Sequence, residues 1–68
     1  MSARLYVAAQ HDEGFRQAER FLDRLATGPC GADDLAQELS IARFGSLERQ
    51  RAFCARLQQA LLEGVRDA

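Results

Sequence analysis

Two segments of this 68-residue chain carry apolar residues at helical spacing, and so short a chain can barely cover both stripes. One stripe is Leu5, Ala8, Phe15, Ala18, Leu22 and Leu25. The other is Leu47, Cys54, Leu57, Leu61 and Val65, continued by Phe53 and Ala60. Recurrence every three or four residues predicts amphipathic helices with facing apolar sides. A domain of this size buries only about 60% of its unfolded surface. Its core rarely supplies more than about 3–5 kcal/mol, and small proteins exceed that through disulfides, a metal or oligomerisation. The expectation is an all-α fold with one domain over residues 1–68. It is a small three-helix bundle of two longer antiparallel helices, with a short middle helix across their end. Leftover apolar surface points to a partner, either a second copy in a homodimer or another protein.

The helix boundaries follow from local chemistry. Ser2 can cap a helix running unbroken to Thr27, with His11 on the same face as Phe15. Alternatively Asp12 caps a shorter helix, and Leu5 to Ala9 form an extended arm. Gly14 costs a helix about 1 kcal/mol relative to Ala, but the stripe keeps phase across it, which favours the continuous helix. Gly28 and Pro29 end that helix, since proline cannot continue the hydrogen-bond ladder. A short second helix is expected over Ala32 to Leu39, with Asp33 and Asp34 in its first turn, where the helix dipole favours negative charge. Ser40 to Gly45 reads either way. Ser46 is the expected cap of a last helix from Leu47 to about Gly64, with Val65 to Ala68 fraying.

Composition narrows the partners. A formal net charge of −1 gives no strong overall field for nucleic acid or an anionic membrane. All nine basic residues are arginine, which fits coding bias in a GC-rich bacterium or its phage. No segment approaches the roughly 20 apolar residues of a membrane span. No secretory signal is recognisable, so the expectation is a cytoplasmic chain whose two cysteines, Cys30 and Cys54, stay reduced. Cys54 is expected in the core of the last helix and Cys30 exposed in the turn.

Catalytic chemistry is hard to assemble from these residues. His11 is the only histidine, and a nucleophile needs a base that is itself oriented by a third group. His11 with Cys30 is the only Cys–His combination, and its context matches no nucleophile motif. Structural zinc sites usually bring ligands in close pairs, and the chain has none. Gly28 to Gly31 precedes a helix start, where anions can bind, but Asp33 and Asp34 would repel phosphate there. No catalytic, metal or cofactor residue is assigned.

The segment Asp34 to Ile41 resembles the first helix and turn of a helix-turn-helix motif, with Leu35 and Leu39 inward and Ala36 at the helix contact. Arg43, Arg49 and Arg51 would then reach DNA phosphates. The pattern degrades afterwards: Ser46 and Arg49 are polar where burial is needed, and Gly45 interrupts the next helix. The favoured reading is a small non-enzymatic protein-binding module, a bacterial or phage regulatory or inhibitory factor acting through a helical face. Phe44, Arg43, Arg49, Leu47 and Phe15 are the candidate contacts, because arginine with aromatic residues is a common hot-spot combination. The competing reading is a small DNA-binding regulator.

Overall fold

A computed structural model describes the backbone of residues 3–67 and the side chains of residues 4–64. Three helices follow one another: α1, Ala3–Thr27; α2, Ala32–Gly45; and α3, Leu47–Asp67. The expected cap Ser2 lies outside the described residues. The first helix is continuous through Gly14. It closes where the glycine–proline pair required: the Gly28 N–H donates to the Arg24 carbonyl at 3.0 Å, and the Thr27 hydroxyl donates to the Asp23 carbonyl.

Helix α2 starts on a reciprocal clasp. The Asp34 N–H donates to the Gly31 carbonyl, and the Asp34 carboxylate accepts the Gly31 N–H at 2.8 Å. It extends through Ser40–Gly45, beyond the expected end at Leu39. A single residue then joins it to α3. Ser46 is in extended backbone and donates its N–H to the Ala42 carbonyl, closing α2. Its hydroxyl oxygen accepts the Arg49 N–H at 3.0 Å, capping α3. The same hydroxyl donates to Oε1 of Gln10 at 3.1 Å, tying this corner to α1. Helix α3 continues past Gly64 to Asp67.

The direction of the long helices corrects the expectation: α1 and α3 run parallel. Gln10 meets Ser46, the Gly14 position meets Arg49 and Ala52, Phe21 meets Phe53, and Leu25 shares a groove with Leu57 and Leu61. The cause is the length of α2. Eight residues would carry the chain about 12 Å, enough to cross an end, whereas fourteen carry it about 21 Å. Helix α2 therefore lies alongside α1 in the opposite sense, with Arg24 near Asp34 and Glu38 and Gln17 on Glu38. It returns the chain to the start of α1, and Ser46 reverses it again.

The core is small. Its buried apolar residues are Ala18, Phe21, Ala42, Ala52 and Phe53, with Leu39 and Leu57 half-buried against them. The Phe21 and Phe53 rings lie 6.2 Å apart and tilted at 48°, within the range of favourable aromatic pairs. Leu5, expected in the first stripe, is 62% exposed, and Ala8 is exposed too. The buried face of α1 instead follows Gly14, Gln17, Ala18 and Phe21. Cys54, expected inside, is exposed, because α3 turns Ala52 and Phe53 inward instead. Cys30 is half-buried rather than open.

Gly14 explains why the helices approach so closely. A Cβ at this position would overlap the Arg49 carbonyl oxygen and stand 2.9 Å from its carbon and 3.0 Å from the Ala52 Cβ. The absence of a side chain lets the backbones of α1 and α3 meet. The residue that weakens α1 locally is the one on which the crossing depends.

Candidate protein-binding surfaces

Three surfaces stand out: a corner, a cleft and a groove. The corner is the α2–α3 junction. Ala42 points into the core, and Phe44 is two residues further on, about 200° around the helix. Phe44 is therefore directed outward and is 92% exposed. Arg43 is exposed beside it, and Ser40, Arg43 and Phe44 line a shallow depression of about 380 Å³. Leu47, at the first turn of α3, adds a further exposed apolar side chain. The Ser46 clasp on Gln10 and Arg49 holds this corner rigidly.

The other candidate contacts lie elsewhere. Phe15 is half-buried, with the Arg56 guanidinium 5.6 Å from its ring centroid. Arg56 also reaches Glu19 at 3.5 Å. Its Nη1 is buried without a hydrogen-bond partner, and the ring face partly compensates for that. Arg49 is half-buried and lies across Gly45, where a Cβ would stand 2.6 Å from its Cδ. Its Nε donates to Oε1 of Gln17 at 3.2 Å. Arg51 is exposed and paired with Glu48 at 3.2 Å. Of the three arginines proposed for DNA, Arg43 alone is exposed with no such engagement among the described residues. Phe44, Arg43 and Leu47 come together at the corner, while Arg49 turns inward and Phe15 faces α3.

The cleft is centred on residues that the sequence reading passed over. Gln17 is 4% exposed. Its Nε2 donates to the Glu38 carbonyl at 3.0 Å and to Oε2 of Glu38 at 2.8 Å, while its Oε1 accepts from Arg49. The other carboxylate oxygen of Glu38 accepts from Arg24 at 2.9 Å. One amide thus links all three helices, and both of its ends are satisfied, as burial requires. The sequence does carry a signal for this: Gln17 shares a face with Gly14 and Phe21, so it is a polar residue inside an apolar stripe. Beside this network opens a cleft of about 270 Å³, lined by Gln17, Arg20, Phe21, Arg24, Glu38, Ile41 and Arg49.

The groove lies at the other end of the α1–α3 contact. It too measures about 270 Å³, and its lining carries no charge: Phe21, Leu22, Leu25, Leu35, Leu57, Ala60 and Leu61. Leu61 is 71% exposed, and Leu25, Leu35 and Leu62 are also open.

His11 and Cys30 are far apart. His11 is exposed on α1, and Cys30 follows the end of that helix, so about 24 Å of helix intervenes between His11 and Thr27. Among the described residues, no three His, Cys, Asp or Glu side chains converge to hold a metal ion. Among the same residues, no helix is long and apolar enough to cross a membrane. Comparison with protein-family models, curated proteins and solved structures returned no match.

Proposed function

We propose that this chain is a non-enzymatic protein-binding module that works as a homodimer and presents the α2–α3 corner to another protein. The observation that carries this reading is the imbalance between core and surface. Among the described residues, five apolar side chains are buried, whereas ten large ones are exposed, Phe44, Leu61 and Leu5 most of all.

The two apolar surfaces suit different partners. An uncharged lining is typical of the centre of a permanent interface between like subunits, so a second copy covers the Leu25, Leu35 and Leu61 groove. The corner offers a protruding aromatic beside an arginine, a combination enriched at hot spots. Phe44, Arg43 and Leu47 therefore contact the second protein. A small regulatory or inhibitory factor, bacterial or phage in origin as the arginine-only basic set suggests, acts in this reading by occupying a surface on a larger complex. DNA binding has less support, because Arg51 is paired with Glu48 and the Arg49 guanidinium is half-buried rather than displayed to a duplex.

Sedimentation equilibrium over a concentration series tests the dimer. The expected mass is twice 7.6 kDa, falling to the monomer for Leu25→Glu combined with Leu61→Glu. Affinity capture from a bacterial lysate tests the corner. A retained protein should be lost with Phe44→Ala and kept with the groove variant. A monomer at every concentration that retains no protein overturns the proposal, and salt-sensitive binding of duplex DNA that is lost with Arg43→Ala replaces it.

A further inference from the structure

We infer that the cleft between α1 and α2 receives a carboxylate side chain from an acidic, partly apolar segment of the partner protein. The inference rests on the protein-binding reading above and specifies the chemistry of the partner.

Charge is the first argument. Arg20, Arg24 and Arg49 line the cleft against one carboxylate, Glu38. Arg24 is balanced by Glu38 at 2.9 Å and by Asp34 at 3.8 Å. Arg49 is not balanced: its Nε bonds to the neutral amide of Gln17, and it makes no ion pair among the described residues. Arg20 makes none among them either. Two uncompensated guanidiniums therefore border one cleft in a chain whose net charge is −1. Arg49 is already half-buried, so part of its desolvation cost is present in the free protein. An anion placed against it gains attraction without that part of the cost. The terminal amino groups of Arg49 and the whole Arg20 fork suit the two oxygens of a carboxylate.

The walls select the kind of anion. Phe21 and Ile41 border the cleft, and Ile41 is exposed. Phe44 lies one turn further along α2. An apolar residue next to the occupant's carboxylate would cover Ile41 and Phe44. A nucleic-acid backbone would gain nothing from that wall. The surface favours an acidic peptide over a phosphodiester chain.

The test uses the full chain, isotopically labelled for NMR, titrated with three probes: a blocked peptide of alternating Glu and Leu, the same peptide with Gln for Glu, and a short DNA duplex. The expected result is saturable shifts centred on Arg20, Ile41 and Arg49 with the Glu peptide only, weakening as salt is raised. Arg20→Glu, at an exposed position, should weaken binding by about tenfold or more. Arg4→Glu makes the same charge change outside the cleft and should leave binding unaltered. Several results would overturn the inference: equal responses to the Glu and Gln peptides, equal losses with both variants, shifts centred on the Leu25 and Leu61 groove, tighter binding of DNA, or no response. Dimer mass and Phe44-dependent capture, scored in parallel, separate the two ideas. If both persist without a peptide response, the cleft loses its role and the protein-binding reading stands. If both are absent, the wider reading fails.

Discussion

The two halves of the α1–α3 contact are built from residues of opposite size. Near the Ser46 corner the helices meet through Gly14, Ala18 and Ala52, and backbone lies against backbone. Toward the other end the facing residues are Leu22, Leu25, Leu57 and Leu61, and the helices enclose an open groove. Small residues allow close approach and complete burial. Large ones at the same spacing pack less completely, and the groove stays open among the described residues. Burial is therefore greatest beside the small-residue crossing, around the Phe21–Phe53 pair, and the facing leucines beyond it stay half-buried or exposed.

The largest effect should come from Phe53, the one large side chain among the described residues that is completely buried. Removing a buried phenylalanine ring costs about 3–5 kcal/mol, as much as a core of this size supplies. Phe53→Ala should unfold most of the chain at room temperature, as read by circular dichroism in a urea titration. A loss below about 1 kcal/mol would break the assignment of stability to this buried pair.

Gly14→Ala comes next, and the sign of its effect matters more than its size. Helix propensity alone predicts a gain of about 1 kcal/mol. Overlap with the Arg49 carbonyl and the Ala52 methyl predicts a cost of about 1–3 kcal/mol or more, because α3 must move as a unit. The net expectation is destabilisation, seen as a lower thermal midpoint. A higher midpoint would show that the crossing tolerates separation and that the two halves do not differ as described.

Gln17→Leu should follow. It leaves the Glu38 carboxylate without its amide donor and the Arg49 Nε without its acceptor. Half-buried groups stripped of partners cost about 1–3 kcal/mol. The variant should lose roughly that much in chemical denaturation, and Gln17→Leu with Glu38→Leu should recover part of it. If the double variant is no better than the single, the network does not couple the helices.

Much of this architecture was legible in the residues, for reasons that also explain the misreadings. Gly28 and Pro29 end α1, and Ser46 caps α3, because those signals act within one turn of backbone. The continuity of α1 followed from a stripe that kept phase. The position of the buried face did not, since spacing does not say which members of a stripe, from Leu5 to Leu25, another helix covers. At a close crossing the inward positions belong to Gly14, Ala18 and Ala52. The relative direction of α1 and α3 depended on whether Ser40–Gly45 was helix or corner, and a short segment with Ile41 and Phe44 fits both locally. At the candidate surfaces, the exposure of Phe44 was legible in a large aromatic set beside a glycine at a helix end, beyond the reach of the core. The bond from Arg49 to Gln17 was not legible, because the two are 32 residues apart in sequence and periodicity carries no information about such a pair.

The smallest effect on folding should come from the open half, and Leu61→Ser tests it. Leu61 is 71% exposed, so its truncation removes little burial from an isolated chain, and exposed positions usually stay within about 0.5 kcal/mol. At low concentration the thermal midpoint should be close to that of the unaltered protein. At high concentration the two should separate. Association that stabilises the native state raises the midpoint with protein concentration, and Leu61→Ser should flatten that dependence by removing apolar area from the groove proposed for a second copy. A substitution that is silent when dilute and costly when concentrated marks a residue whose burial is intermolecular. If instead the loss is the same at every concentration, Leu61 supports the monomer, and the distinction between a closed half and an open half disappears.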